Sequence, residues 1–114
     1  MEKELLKIIK ENKEGFTVNA LLQNVKFEKG YFVSIAGVNS SSCSEKAVKE
    51  ILVLFDTLKD KIEPPIYIGG WTDSGIIYLD ITLHIVNKKL AIAVGKVFGQ
   101  IAIYNCKTGE SERI

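Results

Sequence analysis

Polar and aromatic side chains occupy every second position in the strongest apolar segment of the chain. They are Tyr78, Asp80, Thr82 and His84, and they alternate with apolar residues between 76 and 86. This alternation is typical of a strand with one face on the core, where side chains at i and i+2 stand about 7 Å apart. On the polar face, Asp80 could act as a general base and His84 as a general acid or a phosphate contact.

A glycine-rich turn precedes this strand and carries the only tryptophan of the chain. The sequence IGGWTDSG at 68–75 places Trp71 and Asp73 directly before the polar strand face. Aromatic side chains can stack on a flat ligand or fill a pocket of a partner. We therefore predict an aromatic and acidic binding patch that consists of Trp71, Asp73, Tyr78 and Asp80.

Plainer interpretations of the same residues remain open. Polar side chains on one face of a strand are most often its solvent side. A buried Asp80 could instead hold the turn by hydrogen bonding to its backbone. Trp71 could cover the core, and His84 could have a structural role. These interpretations and a role in ligand binding or catalysis predict different surroundings for Asp80.

Sequence motifs of catalysis and of metal binding are missing. There is neither a phosphate-binding loop nor a nucleophile elbow. Cys43 and Cys106 do not form a CxxC pair, and with the single His84 they make a poor zinc set. Nothing local supports a Cys–His catalytic pair. We expect no cofactor and no metal, and the sequence favours a protein without catalytic activity while leaving an enzyme possible.

Composition indicates one globular domain. The chain has 114 residues, of which 46% are hydrophobic and 25% charged, and its net charge is +1. Domains of about 100–150 residues with such a composition have one core. A charge near zero argues against sequence-specific binding of nucleic acid, although a neutral protein can still bind a basic groove on a partner protein.

Targeting signals are not evident near the beginning of the sequence. Charged residues interrupt every apolar run before residue 15, which argues against a signal peptide. No stretch approaches the roughly 20 apolar residues of a membrane span, so we expect no membrane partner. We predict a cytoplasmic protein whose cysteines stay reduced.

The apolar periodicity predicts an α+β fold for residues 1–114. We expect an N-terminal helix within 1–14 and a core within 15–110, with a mainly antiparallel sheet of about five strands and two to three helices packed on it. Asn87 should cap the last helix, and Ser42 with Glu45 forms a capping box before the central one. The predicted helices are 2–13, a central helix that follows the Ser42 cap and ends at about residue 61, and 88–98. The predicted strands are 16–18, 25–27, 31–35, 66–70, 76–86 and 101–104.

Several segments together resemble a known group of small proteins. The segments are GFTV at 15–18, GYFVS at 30–34, YIGGW at 67–71, YLDI at 78–81, GQIAIY at 99–104 and TGE at 108–110. In this combination the chain resembles small proteins that bacterial phages, plasmids and conjugative elements carry. The similarity spans about 15–110, and the chain departs from the pattern at 19–29, where a Thr-Gly-Pro-rich turn is expected. The group has no established activity, so the resemblance assigns no catalytic residue.

The resemblance implies a context for function. Small proteins on mobile elements often act against host systems, so we expect a binding protein that inhibits a host defence system, of the anti-CRISPR type or another, by contacting a nuclease or effector complex. The alternative is a small nucleotide-binding protein or hydrolase that uses Tyr78, Asp80 and His84. A homodimer is a further possibility, because the narrow apolar face of helix 2–13 could pair across a two-fold axis.

Overall fold

The structure is a computed structural model that describes residues 1–41 and 44–114. Within this part of the chain, helices and strands follow one another as α-β-β-α-β-β-α-β-β. The helices are α1 (Glu2–Glu11), α2 (Ser44–Lys59) and α3 (Lys88–Val97). The strands are β1 (Phe16–Val18), β2 (Tyr31–Ser40), β3 (Ile66–Asp73), β4 (Ile76–Ile85), β5 (Ala102–Asn105) and β6 (Glu110–Arg113).

All strand pairs are antiparallel, and they form a single sheet in the order β1-β3-β4-β2-β5-β6. The long strands β2 and β4 pair at its centre. The predicted α+β class and the antiparallel sheet are confirmed, with six strands instead of about five. Five of the predicted strands are present, the one predicted at 25–27 is not, and the additional strand is β6, which follows the last predicted strand.

The helices pack on one face of the sheet, where the odd-numbered side chains of β4 form the centre of the core. Leu79 and Ile81 are fully buried there, together with Ile51 of α2 and Leu5 of α1. From the sequence, the apolar face of α1 could pair across a two-fold axis. In the structure, this face packs against the core of its own chain. A second, smaller cluster joins α3 to the sheet through Val33, Ala91 and Ile103.

A β-bulge in β2 changes which of its side chains face the helices. The register with β4 shifts between Ser34 and Ala36, which leaves Ile35 as the extra residue. Both Ile35 and Ala36 pack against the core. Beyond the bulge, Gly37 is opposite Asp80 and Asn39 is opposite Tyr78 on the face without helices. The bulge thus sets the surroundings of the polar strand face.

Some local expectations are corrected. Residues 25–27 do not form a hairpin strand with β2, because the chain between 19 and 30 is a loop with an isolated bridge from Val18 to Asn24. The predicted cap of α3 is confirmed by a 2.9 Å hydrogen bond from the Leu90 N–H to Asn87 Oδ1. Ser42 of the predicted capping box and Cys43 lie outside the described residues.

Membrane-spanning helices were not expected from the sequence. Throughout residues 1–41 and 44–114, each helix is too short or too polar to traverse a bilayer.

Candidate functional site

The face of the sheet opposite the helices carries the candidate site, and we call it the outer face. Strand alternation and register assign to it the even-numbered side chains of β4 and their neighbours across β3, β2 and β5. Its central side chains are Phe32, Ser34, Asn39, Tyr67, Trp71, Asp73, Tyr78, Asp80, Thr82, His84 and Tyr104. All of the predicted binding residues lie on this face.

Trp71 and Tyr78 form a stacked aromatic pair near the β3–β4 turn. They are directly opposite in the register, and their ring centroids lie 4.7 Å apart at an interplanar angle of 16°. Trp71 nevertheless remains 46% exposed. The pair is thus pre-ordered by stacking and still presents a large aromatic surface to solvent, as the anchors of binding sites do.

Asp80 lies beside this pair, between two glycines. Gly69 of β3 and Gly37 of β2 are its direct neighbours across the sheet. A Cβ on Gly69 would lie 2.6 Å from Asp80 Oδ1, so the carboxyl group occupies the space above that glycine. Neither neighbouring strand has a side chain beside the carboxyl group on the outer face, and we call Gly37, Gly69 and Asp80 the acidic notch.

The carboxyl group of Asp80 has no partner within the part of the chain that the structure describes. No hydrogen bond or ion pair to it occurs there, so Asp80 does not hold the 69–75 turn by hydrogen bonding to its backbone. Burial raises the pKa of Asp80 to about 6. The side chain keeps partial access to solvent, so the carboxyl group is desolvated without being sealed from an approaching ligand.

The contacts of His84 lie in a different part of the outer face. Its Nε2–H donates a 2.8 Å hydrogen bond to the carbonyl oxygen of Lys29, and its ring stacks on Phe27 with centroids 3.7 Å apart. Phe32 and Tyr67 surround this stack edge-on. The 19–30 loop therefore covers one end of the outer face and leaves the end with Trp71 and Asp80 open.

The two candidate acid–base residues are not adjacent. Asp80 and His84 are four residues apart on one strand, with buried Thr82 between them, which corresponds to roughly 13 Å along the sheet. A direct proton transfer between them is impossible at this separation. Asp73 is exposed on the same face beyond Trp71, toward the turn.

Sequence reasoning missed two components of the site. One is Gly37, which faces Asp80 only because of the β2 bulge. The other is Phe27, which the hairpin prediction placed in a strand. The signal for the bulge was present in the sequence, because the apolar alternation of β2 breaks where Ile35 and Ala36 follow one another.

Within residues 1–41 and 44–114, no group of three or more His, Cys, Asp or Glu side chains is placed so that it could hold a metal ion. Cys106 is a free cysteine. No protein-family model matches the chain, and no curated protein or solved structure is significantly similar to it.

Proposed function

We propose that this protein is a binding protein whose outer face contacts a partner protein. The observation that carries the proposal is the open end of that face, where the exposed Trp71–Tyr78 stack borders the unpaired carboxyl group of Asp80. Interface centres are typically built from aromatic anchors next to a few polar groups. Asp73 adds a second negative charge at the rim of the same patch.

The resemblance to proteins of mobile elements suggests the class of partner. We propose a host defence protein, a nuclease or an effector complex, which the chain inhibits by occupying its surface. Such proteins bind nucleic acid through basic surfaces, and an aromatic and acidic patch is complementary to a basic surface. The net charge of +1 means that this complementarity is local to the patch.

Capture of a partner from a bacterial lysate, followed by native mass spectrometry, tests the proposal. We expect a stoichiometric complex with the wild-type chain and its loss with Trp71→Ala combined with Tyr78→Ala. The matched control is Phe98→Ala, because Phe98 is 49% exposed, close to the 46% of Trp71, and it follows α3. A complex that survives the double substitution, in variants with unchanged melting, would contradict the assignment of this face.

The alternative is a nucleotide-binding protein or hydrolase that uses Tyr78, Asp80 and His84. The raised pKa of Asp80 favours it, since a carboxyl group that titrates near neutral pH can act as a general base. The engagement of His84 with Phe27 and with the Lys29 carbonyl oxygen disfavours it. Loss of a hydrolytic activity in Asp80→Asn without loss of thermal stability would support the alternative, and an activity that survives both Asp80→Asn and His84→Ala would exclude it.

A further inference from the structure

We infer that the acidic notch binds the guanidinium group of an arginine side chain that a partner protein inserts between the aromatic side chains of the outer face. This inference rests on the proposed function and specifies the chemistry of the partner's contact. It assigns Asp80 as the recognising group and the Trp71–Tyr78 stack as the wall of the site.

The shape of the notch follows from the register. Gly69 and Gly37 flank Asp80, and the two strands that carry them lie roughly 10 Å apart across β4. Larger side chains stand at both ends of this gap, with Trp71 and Tyr78 toward the turn. Tyr67 and Thr82 stand at the other end, toward the aromatic cluster of the 19–30 loop. The floor is thus polar, and the aromatic side chains are those of Trp71, Tyr78 and Tyr67 on β3 and β4.

The negative charge of the notch favours the binding of a cation. Asp80 has no partner among residues 1–41 and 44–114, and burial disfavours its charged form. The outer-face residues next to it on β4, β3 and β2 carry no positive charge, and Asp73 adds a negative charge toward the turn. A cation supplied from outside would compensate the buried negative charge that the chain itself leaves unpaired.

The aromatic wall selects guanidinium over ammonium. A guanidinium group is planar, donates two parallel N–H groups to one carboxylate and stacks on aromatic rings. Its desolvation costs less than that of a compact ammonium group, which suits a site that is mostly aromatic. The exposed part of Trp71 offers the ring surface for this stacking and for the methylene groups of the arginine.

Titration with ethylguanidinium, followed by NMR, tests the inference without any partner protein. The single tryptophan of the chain gives one indole N–H signal, and the Asp80 carboxyl carbon gives a second reporter. We expect saturable shifts of both signals with a dissociation constant in the millimolar range, about −4 kcal/mol or weaker for a fragment of this size. Ethylammonium should shift the same signals at least several-fold less.

Two carboxamide variants separate specific binding from general charge attraction. Asp80→Asn should abolish the saturable indole shift, and Asp73→Asn, which removes the same charge from the same face, should preserve it. Equal titration curves for both variants, or for ethylguanidinium and ethylammonium, would overturn the inference.

If the partner complex is lost in the aromatic double variant while ethylguanidinium does not bind, only the inference fails. If ethylguanidinium binds while the partner complex is insensitive to substitutions on the outer face, the proposed function fails, and with it the partner's arginine, while the guanidinium specificity of the notch stands.

Discussion

Asp80 is a buried carboxyl group without a partner among residues 1–41 and 44–114. Burial raises its pKa from 3.8 to about 6, so the folded state holds a proton that the unfolded state releases between these pH values. Because of this group, the free energy of unfolding falls as the pH rises from 4 to 6. Above pH 6 the full cost of burying the ionised carboxylate is present. A shift of about 2 pH units corresponds to at most roughly 3 kcal/mol.

We predict that Asp80→Asn stabilises the protein at pH 7 by about 1–2 kcal/mol, because a neutral amide is less costly to bury than an unpaired carboxylate. The gain should vanish toward pH 4, where the wild-type carboxyl is protonated in the folded state. Urea denaturation of both proteins at several pH values measures the difference. The titratable side chains that flank Asp80 on the outer face are Tyr67 and Tyr78.

The exposed Asp73 provides the control for this prediction. Asp73→Asn removes an equal charge from the same face, and we expect it to change stability by less than about 0.5 kcal/mol at every pH. A destabilisation by Asp80→Asn at pH 7 would show that the carboxylate has a favourable partner in the folded protein, contrary to the geometry.

Gly69 tests the shape of the acidic notch. Gly69→Ala brings a Cβ to 2.6 Å from Asp80 Oδ1, so the carboxyl must move, and we expect a cost of about 1–3 kcal/mol. In an Asp80→Ala background this collision is absent. A double-mutant cycle by urea denaturation should therefore give a coupling between the two sites of about 1 kcal/mol or more. Additive effects would mean that the carboxyl does not lie above Gly69.

The sequence predicted which face of β4 is polar, and it could not predict what lies beside Asp80. Alternation along 76–86 is a local property and was sufficient to assign Leu79 and Ile81 to the core. The identity of the cross-strand neighbours depends on register, which one extra residue in β2 shifts. The notch therefore became visible only once Gly37 and Gly69 were placed on either side of the carboxyl.

Among the elements, the 19–30 loop shows how local polar contacts replace a predicted strand. Asn19 Oδ1 accepts hydrogen bonds from the backbone N–H groups of Leu21 and Gln23, at 2.9 and 3.0 Å. Side chains that bond to nearby backbone in this way compete with strand pairing. The loop then carries Phe27 across the outer face onto His84.

We predict that Gly30→Ala detaches this loop from the outer face. Gly30 has φ +90°, and a Cβ there would lie 2.5 Å from His84 Nε2, the atom bonded to Lys29. We expect a cost of about 2–3 kcal/mol, which combines backbone strain with the loss of that hydrogen bond. Urea denaturation gives the cost, and the ring signals of Phe27 and His84 in NMR report the stack.

Gly75→Ala is the matched control for Gly30→Ala. Gly75 also has a positive φ, +79°, but a Cβ there would meet no atom within 4 Å. We expect only the backbone cost of about 1–2 kcal/mol and an unchanged Phe27–His84 stack. Equal costs and unchanged ring signals in both variants would contradict the role assigned to Gly30 in seating His84.

Strand β6 was missed because its residues carry no apolar alternation. The segment ESER at 110–113 pairs with β5 through backbone hydrogen bonds and through a 2.6 Å hydrogen bond from Asn105 Nδ2 to Glu112 Oε2. Glu112 Oε1 also lies 3.1 Å from Lys88 Nζ of α3. Both interactions lower the pKa of Glu112. The formation of such an edge strand depends on contacts with residues that are distant in the sequence. A single sequence does not reveal these contacts.

Considered as a whole, the molecule has one sheet whose two faces differ in their side chains and in what covers them. The helices cover the face that forms the core, and the outer face bears the stacked aromatic side chains and the acidic notch. Because Leu79 and Ile81 alternate with Tyr78 and Asp80 on one strand, the scaffold fixes the outer side chains directly. Sites built on strands in this way are more rigid than sites on loops.

This arrangement predicts that the two core clusters unfold together, because β2 and β4 run through both. Leu5→Ala in the larger cluster and Ile103→Ala in the smaller one each truncate a buried side chain, and each should cost about 2–5 kcal/mol. Circular dichroism and the fluorescence of Trp71 should report one coincident transition for both variants. Two separate transitions in Ile103→Ala would instead show that α3 and β5 form a unit independent of the sheet centre, and the outer face would then extend over two parts that can move against each other.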